Sequence, residues 1–249
     1  MLTQVMYKTS CALLVVLLLA AAAPAYAAVS DAELTRNIQR QLSSLDYGSR
    51  RPVIAVSGGV VTVTGTVVSL WLKEETINRI LKVQGIESIM AELMIPRAES
   101  DEKLVLEVGD KIRHYDLFTV YDDFQGRVKN GVVYLGGAVT EPKKLTDVVE
   151  RVAKIKGVQA IENKVTVLPA NQSDDRLRVQ IANAIYRMPE FERYSMADPP
   201  IHIIVNNSRV ILVGIVRAEI EKRKALEAAR FVEGTLAIED RIQLAQNVK

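Results

Sequence analysis

The sequence has few of the side chains that most often carry chemistry, with one cysteine, Cys11, and two histidines, His114 and His202, in 249 residues. No cysteine follows Cys11, so the rest of the chain has no thiol catalysis, cysteine metal site or disulfide. The histidines lie far apart, and neither has a second histidine or a cysteine nearby. A zinc site is therefore not expected, because zinc needs several ligands brought together.

Motifs of catalysis and phosphate binding are also missing. The sequence contains no G-x-x-x-x-G-K-[ST], G-x-G-x-x-G or G-x-S-x-G pattern. Two pairs of adjacent acids, Asp122-Asp123 and Asp174-Asp175, are more typical of a turn or a helix cap than of a glycosidase, whose carboxylates flank one bond from separate elements. We therefore expect no enzyme, no cofactor and no metal.

No part of the chain has an excess of charge of one sign. Residues 28–99 carry 8 basic and 8 acidic side chains, residues 100–172 carry 11 and 11, and residues 173–249 carry 12 and 11. A nucleic-acid-binding domain is normally basic, and a KH-like module would need a GXXG loop, which this chain lacks. Nucleic acid is therefore not an expected partner.

Only the N-terminus has a long apolar run, from Ala12 to Ala23, with Lys8 before it and Ala25-Tyr26-Ala27 after it. A basic start, an apolar core and a small-x-small site predict a secretory signal peptide at residues 1–27, cleaved after Ala27. An uncleaved anchor is the alternative, but a membrane span needs roughly 20 apolar residues. We expect export to the periplasm.

The remainder of the chain is a threefold repeat. Val60–Val67 matches Val132–Val139 and Val210–Val216, and a second glycine-containing marker follows each copy at the same distance. Both markers step by 72 residues between the first two copies and by 77 between the last two. The repeat predicts domains at residues 28–99, 100–169 and 173–249, and structural glycines at Gly65, Gly85, Gly137, Gly157, Gly214 and Gly234.

Each copy has the same order of elements. Ser30, Ser100 and Ser173 are predicted N-caps of a first helix, and a turn such as Asn130-Gly131 joins two strands. A second helix, for which Thr140 is the predicted cap in copy 2, leads to a closing strand. The order helix-strand-strand-helix-strand predicts an α+β fold of three tandem two-layer sandwiches, each with a three-stranded sheet.

These three units resemble the BON domain, a module of osmotic-shock-induced and nodulation-associated periplasmic proteins. The resemblance rests on the V-x-L-x-G-x-V strand at Val133–Val139, the helix that ends at Gly157-Val158, and the final strand Ala160–Val167. It covers nearly all of residues 30–246. It implies a non-catalytic stress-response protein of the cell envelope that associates with phospholipid membranes, and it supplies no catalytic residues. Copy 3 departs from the pattern by five extra residues within 190–200.

The first set of candidate contact residues is Leu70, Trp71 and Leu72, at the start of the second helix of copy 1. The equivalent residues are Pro142-Lys143-Lys144 and Glu219-Ile220-Glu221, which are polar at the outer positions. The fold is therefore expected to leave these positions exposed, and an apolar patch on a surface often marks a contact with a membrane or a partner. The alternative is that copy 1 packs this patch against another copy.

Basic side chains cluster on the other two second helices. They are Lys143, Lys144, Arg151 and Lys154 in copy 2, and Lys222, Arg223, Lys224 and Arg230 in copy 3. The helix face that carries these basic side chains is interpreted either as an ordinary solvated surface or as a surface that attracts anionic lipid head groups. The expected partner is thus a phospholipid membrane surface, with a periplasmic protein–protein scaffold as the alternative function.

Overall fold

The computed structural model describes residues 29–97, 99–196 and 198–247. The predicted signal peptide, residues 1–27, lies outside the described residues.

Three modules with the same order of elements follow one another along the chain. The first consists of α1 Asp31–Leu42, β1 Val53–Ser57, β2 Val60–Thr66, α2 Leu70–Leu81 and β3 Ser88–Met94. The second consists of α3 Asp101–Arg113, β4 Asp123–Lys129, β5 Val132–Val139, α4 Pro142–Ala153, β6 Ala160–Asn163 and β7 Thr166–Val167. The third consists of α5 Gln172–Tyr186, β8 Ile201–Asn206, β9 Arg209–Val216, α6 Glu219–Arg230 and β10 Ala237–Leu244, with 3-10 turns at Pro189–Phe191 and Ala245–Asn247.

Each sheet places the second strand of its module in the centre. The first strand is its antiparallel hairpin partner, and the last strand returns parallel to it on the other side. In the second module the last strand is interrupted, so that β6 and β7 both pair with β5. The predicted α+β class and the three tandem units are confirmed.

Two of the predicted helix caps are present and two are replaced. The hydroxyls of Ser30 and Ser100 accept from backbone N–H groups of α1 and α3. The predicted cap Ser173 is wrong, because α5 begins earlier and Asn171 accepts from the N–H groups of Ser173 and Asp174. Thr140 does not cap α4 either: Glu141 is the N-cap and makes no side-chain cap bond.

The buried apolar side chains form three clusters, one for each module. Three side chains cross from one module to the next. Leu70 of the first module packs against the second core. Val120 of the second module, 3% exposed, belongs to the third core, and the neighbouring Tyr121 packs against it. The cores are therefore separate, but the modules are docked together.

The shared glycines all take a positive φ, and at two of them a side chain would also collide with the backbone. A Cβ on Gly137 would lie 2.2 Å from the carbonyl oxygen of Asp123, and one on Gly214 would lie 2.0 Å from that of Pro200. Both distances are far inside van der Waals contact. Glycine at these positions lets the first strand cross closely over the end of the second.

Candidate interaction surfaces

The predicted apolar patch at the start of α2 is not an exposed surface. Leu72 is 3% exposed and belongs to the core of its own module, Leu70 is half-buried against the second core, and Trp71 is also half-buried. The Lys154 ammonium lies 4.9 Å from the centre of the Trp71 ring. The expectation of three exposed side chains is therefore wrong, and the alternative, packing against another copy, describes the structure.

Two hydrogen bonds to backbone carbonyls complete this first interface, one from a backbone N–H and one from a side-chain amide. The N–H of Gly157 donates to the carbonyl of Val68 at 3.2 Å, and the Gln159 amide donates to the carbonyl of Ile95 at 3.0 Å. The start of α2 thus rests on the connection between α4 and β6. Leu70 and Trp71, which were predicted to contact a membrane or a partner, therefore contact the second module.

Lys144, a predicted member of the basic surface, is also buried. It is 4% exposed, and its ammonium lies 2.7 Å from a carboxylate oxygen of Asp122, which is fully buried. Burial alone would raise the pKa of Asp122, but hydrogen bonds from Lys144, Thr119 and Thr140 outweigh it and hold the pKa below its usual value. Lys144 therefore serves as the internal counter-ion of Asp122.

One position of the second helix is buried in all three modules, although its chemistry differs. It is held by Leu72, Lys144 and Glu221, each less than 5% exposed. The Glu221 carboxylate accepts from the Arg193 guanidinium, from the Tyr194 hydroxyl at 3.2 Å and from the N–H of Arg217 at 2.9 Å. A charged residue at this position is buried together with its hydrogen-bond partners. The polar residues of copies 2 and 3 therefore did not indicate that the equivalent Leu72 is exposed.

The insertion in copy 3 is explained by the same contacts. Arg193 and Tyr194 are hydrogen-bond donors to Glu221, and Phe191 is fully buried in the third core. The Phe191 ring contacts Tyr186 edge-on and lies near Tyr194. The extra residues therefore supply both an apolar anchor and the cation for a buried carboxylate.

Most of the remaining basic residues have acidic partners. Lys143 pairs with Asp147 at 2.6 Å, Lys154 with Glu150 at 2.6 Å, Lys222 with Asp240 at 2.8 Å and Lys224 with Glu227 at 3.1 Å, while Arg151 lies over the Tyr115 ring. Within the described ranges, Arg223 and Arg230 are exposed and form no ion pair. These local pairs reduce the positive potential that the sequence pattern suggested.

An aspartate at the start of the first helix in each module holds the hairpin turn of the same sheet. The carboxylates of Asp31, Asp101 and Asp174 each accept two consecutive turn N–H groups, those of residues 58–59, 130–131 and 207–208. The aspartate that follows each predicted cap serine was the available signal in the sequence. It did not reveal the contact with the turn, because a contact between residues about 30 apart has no local pattern.

Comparison with known proteins agrees with this repeat. The BON domain model matches residues 30–95, 100–169 and 173–246. The chain belongs to the BON domain family. No curated protein matches the sequence. Among solved structures, CdsD of the type III secretion system of Chlamydia trachomatis is similar at 13% identity, covering 85% of this chain and 92% of that one, with a TM-score of 0.25. The CdsD C-terminal domain is similar at 13% identity, covering 87% of this chain and 99% of that one, with a TM-score of 0.24.

The second and third BON modules meet through the turn at residues 119–122, just before β4. The N–H of Ile203 in β8 donates to the carbonyl of Val120 at 2.8 Å, and the His202 ring lies 3.3 Å from the carbonyl of Thr119 and 5.0 Å from the Phe118 ring. Burial lowers the pKa of His202, while burial raises the pKa of the nearby Asp123 carboxyl. Both groups are thus biased towards their neutral forms.

A cleft of about 410 Å³ opens beside this second interface. One wall is α3, the floor is β4, and the opposite wall comes from the third BON module. The lining side chains include Val105, Val108, Ile112, Phe118, Phe124, Pro199, Pro200 and Ile215. The cleft is mainly apolar, with Arg113, Asp123, Asp198 and His202 as its ionisable groups.

The most exposed large apolar side chains lie between α6 and β10. Phe231 is 81% exposed and Leu236 is 78% exposed, and together we name them the apolar tip. The equivalent residues of the second BON module are Lys154 and Gln159, which contact the first module. No feature of the sequence analysis singled out the apolar tip, because neither residue interrupts the repeat pattern.

Neither a metal centre nor a membrane span is present in the part of the chain that the structure describes. Its His, Cys, Asp and Glu side chains form no group of three suited to a metal ion. None of its helices is long and apolar enough to cross a bilayer.

Proposed function

We propose that this BON protein is a non-catalytic protein of the periplasm that associates with phospholipid surfaces through the apolar tip of its third module. BON domains occur in periplasmic and envelope proteins, and the family is generally non-catalytic. The observation that carries the proposal is the exposure of Phe231 and Leu236, at 81% and 78%. Two large apolar side chains exposed to water in one short connection, between α6 and β10, favour an apolar contact.

The energies suit a weak and reversible contact. Transfer of a large apolar side chain from water to hydrocarbon stabilises by roughly 1.5–3 kcal/mol, so the apolar tip supplies roughly 3–6 kcal/mol. The exposed Arg230 precedes Phe231 in the chain and adds about 1 kcal/mol near an anionic surface. Because five of the eight basic side chains of the predicted surface are paired with acids, we expect anionic lipid to strengthen the association only modestly.

Fluorescence provides a direct test of the apolar tip. Trp71 is the single tryptophan and is half-buried between two modules, so its emission should be blue without lipid and unchanged by vesicles. Phe231→Trp in a Trp71→Phe background moves the reporter to the apolar tip. Its emission should shift to the blue on addition of phosphatidylethanolamine–phosphatidylglycerol vesicles.

Co-sedimentation of the chain from Ala28 with the same vesicles supplies the matched comparison. Phe231→Ser with Leu236→Ser should reduce the bound fraction several-fold. Leu106→Ser is the control, because Leu106 is 73% exposed on α3 and is not part of the apolar tip. Equal binding by the native chain and the double variant would contradict the proposal.

The proposed location rests on the N-terminal pattern and on the family. Lys8, the apolar run and Ala25-Tyr26-Ala27 support export and cleavage. N-terminal sequencing of the protein from a periplasmic fraction should therefore begin at Ala28. An intact Met1 terminus in the cytoplasm would contradict export.

A further inference from the structure

The first strand of each module lies at an edge of its sheet, and in the third module the backbone groups of that edge are already hydrogen-bonded outside the sheet. The partners are the Tyr186 hydroxyl for Ile201, the carbonyl of Val120 for Ile203 and the Arg178 guanidinium for Val205. An edge strand covered in this way is protected from pairing with another chain.

The first strand of the first module, β1, has no such cover. Its register is the same, because Ile54 lies opposite Val63 of β2 as Ile203 lies opposite Leu212 of β9. The N–H and carbonyl groups of Ile54 and Val56 therefore face away from β2. Among the described residues, no other strand or backbone group bonds to them on that side.

The composition of β1 does not discourage pairing with another strand either. The strand, Val53–Ser57, has no charged residue and consists mainly of valine and isoleucine. The corresponding strand of the second module, β4, carries Asp123, Arg127 and Lys129. Because charged side chains on an edge strand oppose its pairing with another chain, β1 is the least protected of the three first strands.

Charged side chains of opposite sign lie at the two ends of β1. Arg50 and Arg51 precede the strand, are exposed, and form no ion pair within the described part of the chain. At the other end, the Asp31 carboxylate holds the turn that follows β1, and so the acidic start of α1, with the exposed Glu33, lies beside that turn. An antiparallel copy of β1 would bring its basic start to this acidic end.

We propose that β1 pairs antiparallel with β1 of a second copy, about a two-fold axis at Ala55, so that two first modules share one continuous sheet. Ile54 of each copy then exchanges both backbone hydrogen bonds with Val56 of the other, and Ala55 lies opposite its own counterpart. A second copy is the occupant that fits, because the two-fold axis places the basic start of each strand against the acidic end of the other. Pro52 has no N–H and confines the pairing to these residues, so the dimer is reversible. The apolar tip lies in the third module and is not part of this interface.

Sedimentation velocity of the chain from Ala28 should show a monomer–dimer equilibrium. Val56→Pro removes an N–H that faces away from β2 and should weaken the dimer at least ten-fold. Val128→Pro, the same change at the equivalent position of β4, is the matched control and should leave the dimer unchanged. Circular dichroism checks that both variants fold. A native chain that stays monomeric, or an equal effect of the two variants, would overturn the proposal.

A disulfide across the axis tests the register. The chain from Ala28 has no cysteine, so Ala55→Cys supplies its single thiol. Opposite residues of such a non-hydrogen-bonded pair have Cα atoms about 4.5 Å apart, which a disulfide can span. Oxidation with diamide should therefore give a covalent dimer, whereas Arg127→Cys, at the equivalent exposed position of β4, should stay mainly monomeric. Equal yields of dimer from the two variants would rule out this register.

Charge reversal tests the choice of a second copy as the partner. Arg50→Glu with Arg51→Glu places acids opposite Asp31 and Glu33 of the other copy and should weaken the dimer at least ten-fold. Addition of Glu33→Arg should restore much of the lost affinity. Dimerisation that is unchanged by the first variant would contradict the antiparallel pairing.

Discussion

The buried pair Lys144–Asp122 shows how one residue can reverse an interpretation made from sequence. The repeat aligned Lys144 with Leu72 and Glu221, and two charged residues in three copies suggested a solvent-facing position. All three are buried, because a charge inside a protein is tolerated when it has a partner of opposite charge and further hydrogen bonds. Asp122 and Thr140 provide both for Lys144.

Removing one member of this pair should destabilise the second module. Lys144→Met leaves the Asp122 carboxylate buried without its counter-ion, and such losses cost roughly 3–5 kcal/mol of unfolding free energy. Lys143→Met is the control, since the Lys143 side chain is 66% exposed and its ion pair contributes about 0–1 kcal/mol. Urea unfolding of the two variants measures the difference, and equal stabilities would contradict the internal role of Lys144.

The clasp between the first helix and the hairpin turn links elements that are distant in sequence. In the third module Asp174 is 1% exposed and accepts from Asn207 at 2.7 Å and Ser208 at 2.9 Å. Both turn residues have a positive φ although neither is glycine. Two hydrogen bonds to one charged carboxylate stabilise this backbone conformation, which is unfavourable for ordinary side chains.

Substitution of this aspartate should loosen the turn. Asp174→Ala removes the acceptor of two N–H groups and should cost about 1.5–3 kcal/mol of unfolding free energy. Amide exchange at Asn207 and Ser208 should accelerate. Ser173→Ala, the neighbouring control, should change little, because Asn171 and not Ser173 caps α5. If the two variants were equally stable, the turn would not depend on Asp174.

The whole molecule depends on two interfaces that join its three cores. The first buries Leu70 and Trp71, and the second buries Val120 and the region around His202. Two carboxylates of the second module, Asp122 and Asp123, face His202. Arg241 of β10 acts on the Asp123 carboxylate and therefore affects His202 indirectly. The second interface is therefore the one whose stability should respond to pH in the range where histidine titrates.

Acidification should weaken the docking of the third module. Because the pKa of His202 is lower in the folded chain than the ordinary value of 6.5, the unfolded state binds more protons as pH falls below about 6.5. The contribution of His202 to the stability of the folded chain is thus present above that pH. It is lost as the pH falls towards the lower pKa that His202 has in the folded state. The raised pKa of Asp123 acts in the opposite sense, since its contribution is present at low pH and is lost as pH rises.

Thermal unfolding at pH 7.5 and pH 5.5 measures this effect. The decrease in Tm of the third module on acidification should become smaller in His202→Gln. It should persist in His114→Gln, because the side chain of His114 is 71% exposed on the surface. An identical decrease in Tm in the native chain and in His202→Gln would show that His202 does not cause the pH dependence.

The sequence by itself determined the repeat, the order of elements and the α+β class. These follow from local periodicity and from glycines whose backbone conformation no other residue adopts easily, as at Gly137 and Gly214. Tertiary structure alone decided which residues are on the surface. Leu70 became half-buried because the first module packs against the second, Lys144 became buried beside Asp122 of its own module, and Phe231 remained exposed. Each outcome depends on contacts between distant residues, which have no period in the sequence.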